Sequence, residues 1–273
     1  MFHKREAVSA VVVILMIGLL LGCATTGPGG KTSFIVIPTS QEVSIGAGMA
    51  EQVEQSEKLL SDAEWQAYLN EVGQKIVSVC DRRDIEYRFK VIESDQVNAF
   101  AAPGGYIYFY TGLLREMDSE AEMAAVVAHE ISHVVARHGV KRLQTALGVA
   151  AVSELLFGDE SNQMRDMAVN VGLQLVFADY SRDAEREADS YGIHYMVAAG
   201  YDPAGALGMF ETLSSLGGKG YSNVFEGLFA SHPETQERIR NARAQISEMR
   251  PLPGGLTDGR ARYQRMLARL PSK

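Results

Sequence analysis

The reading of this chain turns on one stretch, from Ser119-Glu120-Ala121-Glu122 through Ala128-His129-Glu130-Ile131-Ser132-His133 to His138-Gly139. Ser119 with a glutamate three residues later forms a capping box, and Gly139 suits the left-handed position that ends a helix. Met123, Val126, Val127, Val134 and Val135 supply an apolar face between those ends. On such a helix His129 and His133, four residues apart, share one face, so both rings reach a single ion at about 2.0–2.1 Å. Glu130 is swung off the metal axis, where its carboxylate can hold a water without ligating the ion. Zinc lowers the pKa of a water it binds to about 7, and a carboxylate so placed takes the proton as a carbonyl is attacked. The expectation is one Zn2+ per chain with Glu130 as general base. The plain alternative is two surface histidines beside a solvated glutamate, and the apolar mid-helix setting argues against it.

Upstream, Tyr87, Phe89 and Val91 alternate with Arg88 and Lys90, the period of a half-buried strand. Val97 to Ala102 and Tyr106 to Tyr110 flank the turn Pro103-Gly104-Gly105, so a hairpin precedes the helix. Residues 41–80 read as helix, with Trp65, Tyr68, Leu69, Val72 and Ile76 at helical spacing. The fold class expected is α+β, mostly helical, with a small antiparallel sheet beside the metal-binding helix.

Downstream, a third ligand is needed, because a catalytic zinc takes three protein ligands and keeps one position open. His138, five residues past His133, is predicted to point away from the ligand face and to serve the helix C-terminus. Ser181-Arg182-Asp183-Ala184-Glu185-Arg186-Glu187-Ala188-Asp189 is the better source. Glu185 and Asp189 share a face, so one can ligate while the other holds a histidine; Glu187 points elsewhere on the same helix. Spacing does not choose between Glu185 and Asp189. Arg182 and Arg186, also four apart, keep a solvated salt-bridge face open as a reading. That helix runs from near Ser181 towards Ala199, closed by Gly200 with Pro203 beyond. Leu147 to Phe157 is apolar, too brief to cross a bilayer, and is read as a buried helix.

The pairing of HExxH with Ser181-Arg182-x-x-Glu185-x-x-Ala188-Asp189 resembles the family of the CAAX prenyl protease and the heat-shock protease HtpX. The resemblance implies a zincin-like fold over roughly residues 41–245, peptide-bond hydrolysis, Glu185 as the third zinc ligand and Asp189 as a partner behind the ligands. Asn98-Ala99-Phe100-Ala101-Ala102-Pro103-Gly104-Gly105-Tyr106-Ile107-Tyr108 looks like that family's active-site edge strand, which implies substrate binding by Asn98, Ala99, Phe100 and Ala101. His232-Pro233 with Arg238 looks like its late His-Pro motif, which implies that His232 and Arg238 lie near the metal among the catalytic residues. The two named members span the membrane several times. This chain has no such helices after residue 22 and is similar to compact periplasmic members concerned with outer-membrane protein quality control. Some of those carry a helical-repeat domain after the peptidase. The stretch after Pro251 is too short for one, so docking to outer-membrane assembly machinery is left open.

At the N-terminus, Lys4 and Arg5 precede an uncharged run from Ala7 to Gly22, shorter than the roughly 20 residues of a spanning helix. Leu20-Leu21-Gly22-Cys23 resembles the lipobox of bacterial lipoproteins. The organisation expected is a signal peptide at 1–22, a tether at 23–40 lipidated on Cys23, a zinc metallopeptidase domain at 41–250 and a short tail at 251–273. Ala24, in place of Asp, favours the outer membrane. An uncleaved N-terminal anchor is the alternative, and either way the chain sits at a membrane on the periplasmic side. With Cys23 committed, Cys80 has no partner in the chain and reads as a small buried hydrophobe. The 273 residues carry a formal net charge of −8, with a pI of about 5.3. That balance excludes nucleic acid as the main partner, since phosphate binding needs a basic surface.

The function expected is a zinc-dependent endopeptidase that degrades unfolded or misassembled envelope proteins, adding them as a strand along Asn98–Ala101. The rival is a chaperone-like or scaffolding lipoprotein whose zinc site is latent. His232 feeds both: near the metal it can plug the open position, stabilise an oxyanion, or, with Pro233, merely shape a turn.

Overall fold

The computed structural model describes residues 23–26, 31–158, 161–217, 232 and 236–272. The expected signal peptide and Pro233 lie outside the described residues. Cys23–Thr26 (β1) pairs antiparallel with Lys31–Phe34 (β2), so the backbone at Cys23 is a strand rather than a loose tether.

Residues 41–80 form two helices, not one. Thr39–Ser56 (α1) stops at Glu57, and Ala63–Val77 (α2) begins after Asp62. Between them the chain runs extended, with Leu60 N–H on Val91 O at 2.8 Å and Glu93 N–H on Lys58 O at 2.7 Å. Asp62 then restarts the helix by accepting from the N–H groups of Glu64 and Trp65. The face read from the spacing, Trp65 to Ile76, is buried as expected.

Arg88–Ile92 (β3), Ala99–Ala102 (β4) and Tyr106–Tyr110 (β5) form a sheet in the order β3-β5-β4. β4 and β5 make the antiparallel hairpin, but β3 joins the far side of β5 in parallel. The sheet is therefore mixed, because the loop 93–98 crosses over and delivers β4 to the opposite edge. The hairpin turn places Gly104 at φ 79° and Gly105 at φ 92°. Side chains rarely tolerate that backbone region, and a Cβ on Gly105 would also lie 2.5 Å from Glu86 O.

The strand period divides the core in two. Ile107 and Phe109 face one cluster; Tyr108 and Tyr110 face the other. Beyond Thr111–Glu116 (α3) runs Glu120–Val135 (α4), all of whose residues are buried. Its capping box forms as predicted at its Ser119 half, with Glu122 N–H on Ser119 Oγ at 3.2 Å. The glutamate reaches one residue further back, to the N–H of Asp118 at 3.0 Å.

Its other end departs from expectation. The helix closes at Ala136, and Arg137, not Gly139, takes the left-handed conformation at φ 54°. A buried ion cluster holds it there. Glu42 on α1 accepts from Arg137 Nε at 2.8 Å and from both Arg82 Nη atoms at 2.9 Å, while Arg137 Nη2 donates to Ile37 O. Gly139 lies inside the next helix, His138–Phe157 (α5).

The segment 147–157 is only partly buried. Val152 and Leu155 face the core, but Val149 and Phe157 stand out in solvent, and Gly148 breaks the helix at φ 73°. Ser161–Val176 (α6) packs back on α5, and Arg182–Ala198 (α7) follows, capped by Ser181 and closed by Gly200 as predicted. Ala204–Gly217 (α8), Gln236–Glu248 (α9) and Arg260–Leu267 (α10) complete the fold. The tail is no appendage: Tyr263 is fully buried and its hydroxyl donates to Leu114 O at 2.7 Å, while Trp65 Nε1 donates to Met266 O. Among the described residues no helix is long and apolar enough to cross a membrane.

α7 lies against α4 at backbone distance. A Cβ on Gly192 would sit 3.2 Å from His129 N. The absent side chain lets the two helices that carry the site meet directly.

Candidate metal centre

α4 presents His129, Glu130 and His133; α7 presents Glu185 and Asp189; His232 and Arg238 arrive from before and within α9. One ligand atom each from His129, His133, Glu185 and His232 fall within 4.8 Å of one another, and all four residues are buried. His129 Nε2 is 3.1 Å from His133 Nε2 and 3.2 Å from His232 Nδ1. Glu185 Oε1 is 2.8 Å from His232 Nδ1 and 3.3 Å from His133 Nε2. Bonds of about 2.0–2.1 Å to a tetrahedral ion would hold donors about 3.3–3.4 Å apart. The donor set, three imidazoles and a carboxylate, therefore fits a zinc-sized ion in both chemistry and spacing.

Asp189 stands behind this set. Its Oδ1 lies 3.0 Å from His129 Nδ1, and both its oxygens accept from Arg238, each at 2.7 Å. Arg238 also reaches Glu185 Oε2 at 3.0 Å and His232 O at 3.4 Å. Burial opposes the charge of Asp189, but the Arg238 guanidinium holds its carboxyl below the usual range. Glu185 is likewise buried, and the rings of His232 and His129 hold it well below the usual range. For His232, burial works against protonation, yet the facing carboxylates of Glu185 and Glu130 raise its pKa.

Glu130 lies beside the four donors and not among them. Its carboxylate is 1% exposed, and Oε1 makes no hydrogen bond among the described residues; His232 Nε2 is the near group, at 3.6 Å. A buried carboxylate oxygen left unpaired beside a metal-sized cluster is costly for stability alone. Clefts flank the centre on both sides, one lined by Val126, Met209 and Leu213, the other by Ala101, Pro103 and Tyr180. Asn98 enters β4 wholly buried, with neither side-chain amide atom hydrogen-bonded among the described residues. Ala99 and Phe100 are buried beside it and Ala101 is half-buried.

Two expectations need correction. His138 does not turn away: its Nδ1 lies 2.9 Å from His133 Nδ1, and its Nε2 lies 3.1 Å from Glu187 Oε2. Glu187 accordingly serves the centre too. The reversal at Arg137 is the reason, since five residues along an unbroken helix would have carried the ring elsewhere. Tyr180, which no spacing marked, stacks on the His133 ring at 4.1 Å and 25°. Its place just before the Ser181 cap is the one signal the sequence held. Cys80 is buried as expected, and burial pushes its thiol up.

Comparison with known proteins adds an independent finding. The model of peptidase family M48 matches residues 63–246. The chain is 28% identical over 263 residues to the beta-barrel assembly-enhancing protease of Escherichia coli (strain K12), covering 91% of this chain and 54% of that protein. It is 32% identical over 184 residues to the mitochondrial metalloendopeptidase OMA1 of Schizosaccharomyces pombe, covering 66% and 53%. With metalloprotease YcaL of Escherichia coli (strain K12) the figure is 30% over 162 residues, covering 58% and 62%. The chain thus spans about half the length of the curated relatives it matches first.

Proposed function

The chain belongs to peptidase family M48, and on that premise we propose that it is a zinc-dependent endopeptidase acting on misfolded or misassembled proteins of the cell envelope. One observation carries the reading: a buried four-donor cluster with Glu130 beside it, whose Oε1 makes no hydrogen bond among the described residues. His129, His133 and Glu185 would hold the ion. When bound, zinc supplies Lewis acidity, polarising a peptide carbonyl and making water a nucleophile near neutral pH. Glu130 takes the proton released as water adds to the carbonyl carbon, then gives it to the departing amine. Asn98 and the backbone of β4 hold the substrate as an added strand, a mode that reads backbone more than side chains and so suits unfolded chains.

Envelope substrates are proposed by kinship with the relative named for β-barrel assembly. Anchoring through lipid on Cys23, at the periplasmic face of the outer membrane, belongs to the same proposal. Palmitate labelling that persists in Cys23→Ser would sink it. A contact with assembly machinery is compatible with this location.

The second reading, a scaffold with a latent site, has His232 in its favour, because its Nδ1 takes the place a substrate-activating position would need. Cleavage of casein by the zinc-loaded protein decides between them. Glu130→Gln is expected to keep zinc and lose turnover by several orders of magnitude, since base catalysis contributes typically about 10²–10⁴-fold and the charge is lost as well. Unchanged cleavage at equal zinc content rules the mechanism out.

A further inference from the structure

A histidine that binds an ion through Nε2 carries its proton on Nδ1, and that N–H needs an acceptor. For His129 the group within reach is Asp189, whose Oδ1 lies 3.0 Å from Nδ1 but outside hydrogen-bond geometry. His133 Nδ1 instead meets a second imidazole, His138 Nδ1, at 2.9 Å. Between two neutral rings such a bond allows two arrangements. If His138 donated, His133 would carry its proton on Nε2 and turn an N–H towards the donor cluster. If His138 accepts, its own proton sits on Nε2, where Glu187 Oε2 waits at 3.1 Å. An ionised carboxylate only accepts, so the second arrangement pairs each donor with an acceptor, and the first sets two lone pairs against each other. Tyr191 holds the outer end by donating to Glu187 Oε1 at 2.8 Å. His133 and His138 are 2% and 4% exposed, which leaves little room for water to substitute.

We propose that His138, anchored by Glu187, is a positioning residue for metal binding: it accepts the Nδ1–H of His133 and keeps His133 Nε2 bare towards the cluster. The inference rests on the zinc reading above. It makes the two histidines of α4 depend on two carboxylates of α7, Asp189 acting directly and Glu187 through one intervening ring. Tyr180, stacked on the His133 ring, limits its rotation.

The test compares the full chain with His138→Ala, His138→Asn and Glu187→Gln by two measurements. Zinc affinity is read by competition with a chromophoric chelator, and the His133 tautomer is read by 15N NMR of the imidazoles in zinc-free protein. His138→Ala is expected to weaken zinc binding about 10–100-fold, the usual effect of losing a group that orients a ligand. His138→Asn, whose Oδ1 takes the place of Nδ1, should recover most of that loss, and Glu187→Gln should fall between. Wild-type affinity in His138→Ala, or a zinc-free His133 protonated on Nε2, overturns the proposal. Should His138→Ala fail to fold by circular dichroism, Glu187→Gln decides, and unaltered affinity there overturns it. A wild-type protein that binds no zinc refutes the metal reading instead, and the NMR tautomer still decides this one.

Discussion

His232 brings a fourth protein donor to a centre that needs three for hydrolysis. Its Nδ1 lies among the donors while its Nε2 faces Glu130, so under the proposed mechanism the ring would stand where a carbonyl must bind. A plug predicts that His232→Ala, with zinc content held equal, cleaves casein several-fold faster. A residue that stabilised an oxyanion would instead cost about 10²–10³ in rate. An unchanged rate eliminates both roles. At this scale much was legible: the four-residue spacing fixed the relation of His129 to His133, and the downstream motif singled out Glu185 and Asp189. His138 was not legible, because its direction depends on a left-handed Arg137. Nothing local to Arg137 asks for that conformation; it is held by Glu42, 95 positions earlier in the chain.

Among the elements, α10 is more deeply built into the fold than its short length suggests. The Pro and Gly content of residues 251–273 leaves room for a short terminal helix and nothing more; that helix forms after Gly259, and its Tyr263 inserts edge-on against Trp65, with ring centroids 6.1 Å apart. Burying a tyrosine there stabilises the whole domain. Tyr263→Ala is expected to destabilise the protein by about 3–5 kcal/mol, the usual cost of deleting a large buried aromatic, measured by denaturant unfolding. A loss under about 0.5 kcal/mol, the range of surface substitutions, would return α10 to the status of an appendage. The break between α1 and α2 was hidden for a related reason. Helical periodicity reports which residues face inward, but only the pairing of Leu60 and Lys58 with the β3 strand shows that the chain leaves the helix to reach it.

At the scale of the molecule, the sheet separates two cores, and the candidate metal centre belongs to the one built on α2, α4, α7, α8, α9 and α10. Gly192, where α7 touches the backbone of His129, has a consequence for adaptation to temperature. At this closest approach no side chain separates the ligand-bearing helices, so nothing at that point can be trimmed to loosen the pair by degrees. Gly192→Ala must push the helices apart by a few tenths of an ångström, and is expected to lower the melting temperature and the zinc affinity together. Substitution of the exposed Val149 should move neither. Under the zinc reading, flexibility gained at the α4–α7 contact would come at the expense of metal binding; room for such change lies instead in the α5–α6 hairpin, whose apolar residues already stand partly in water.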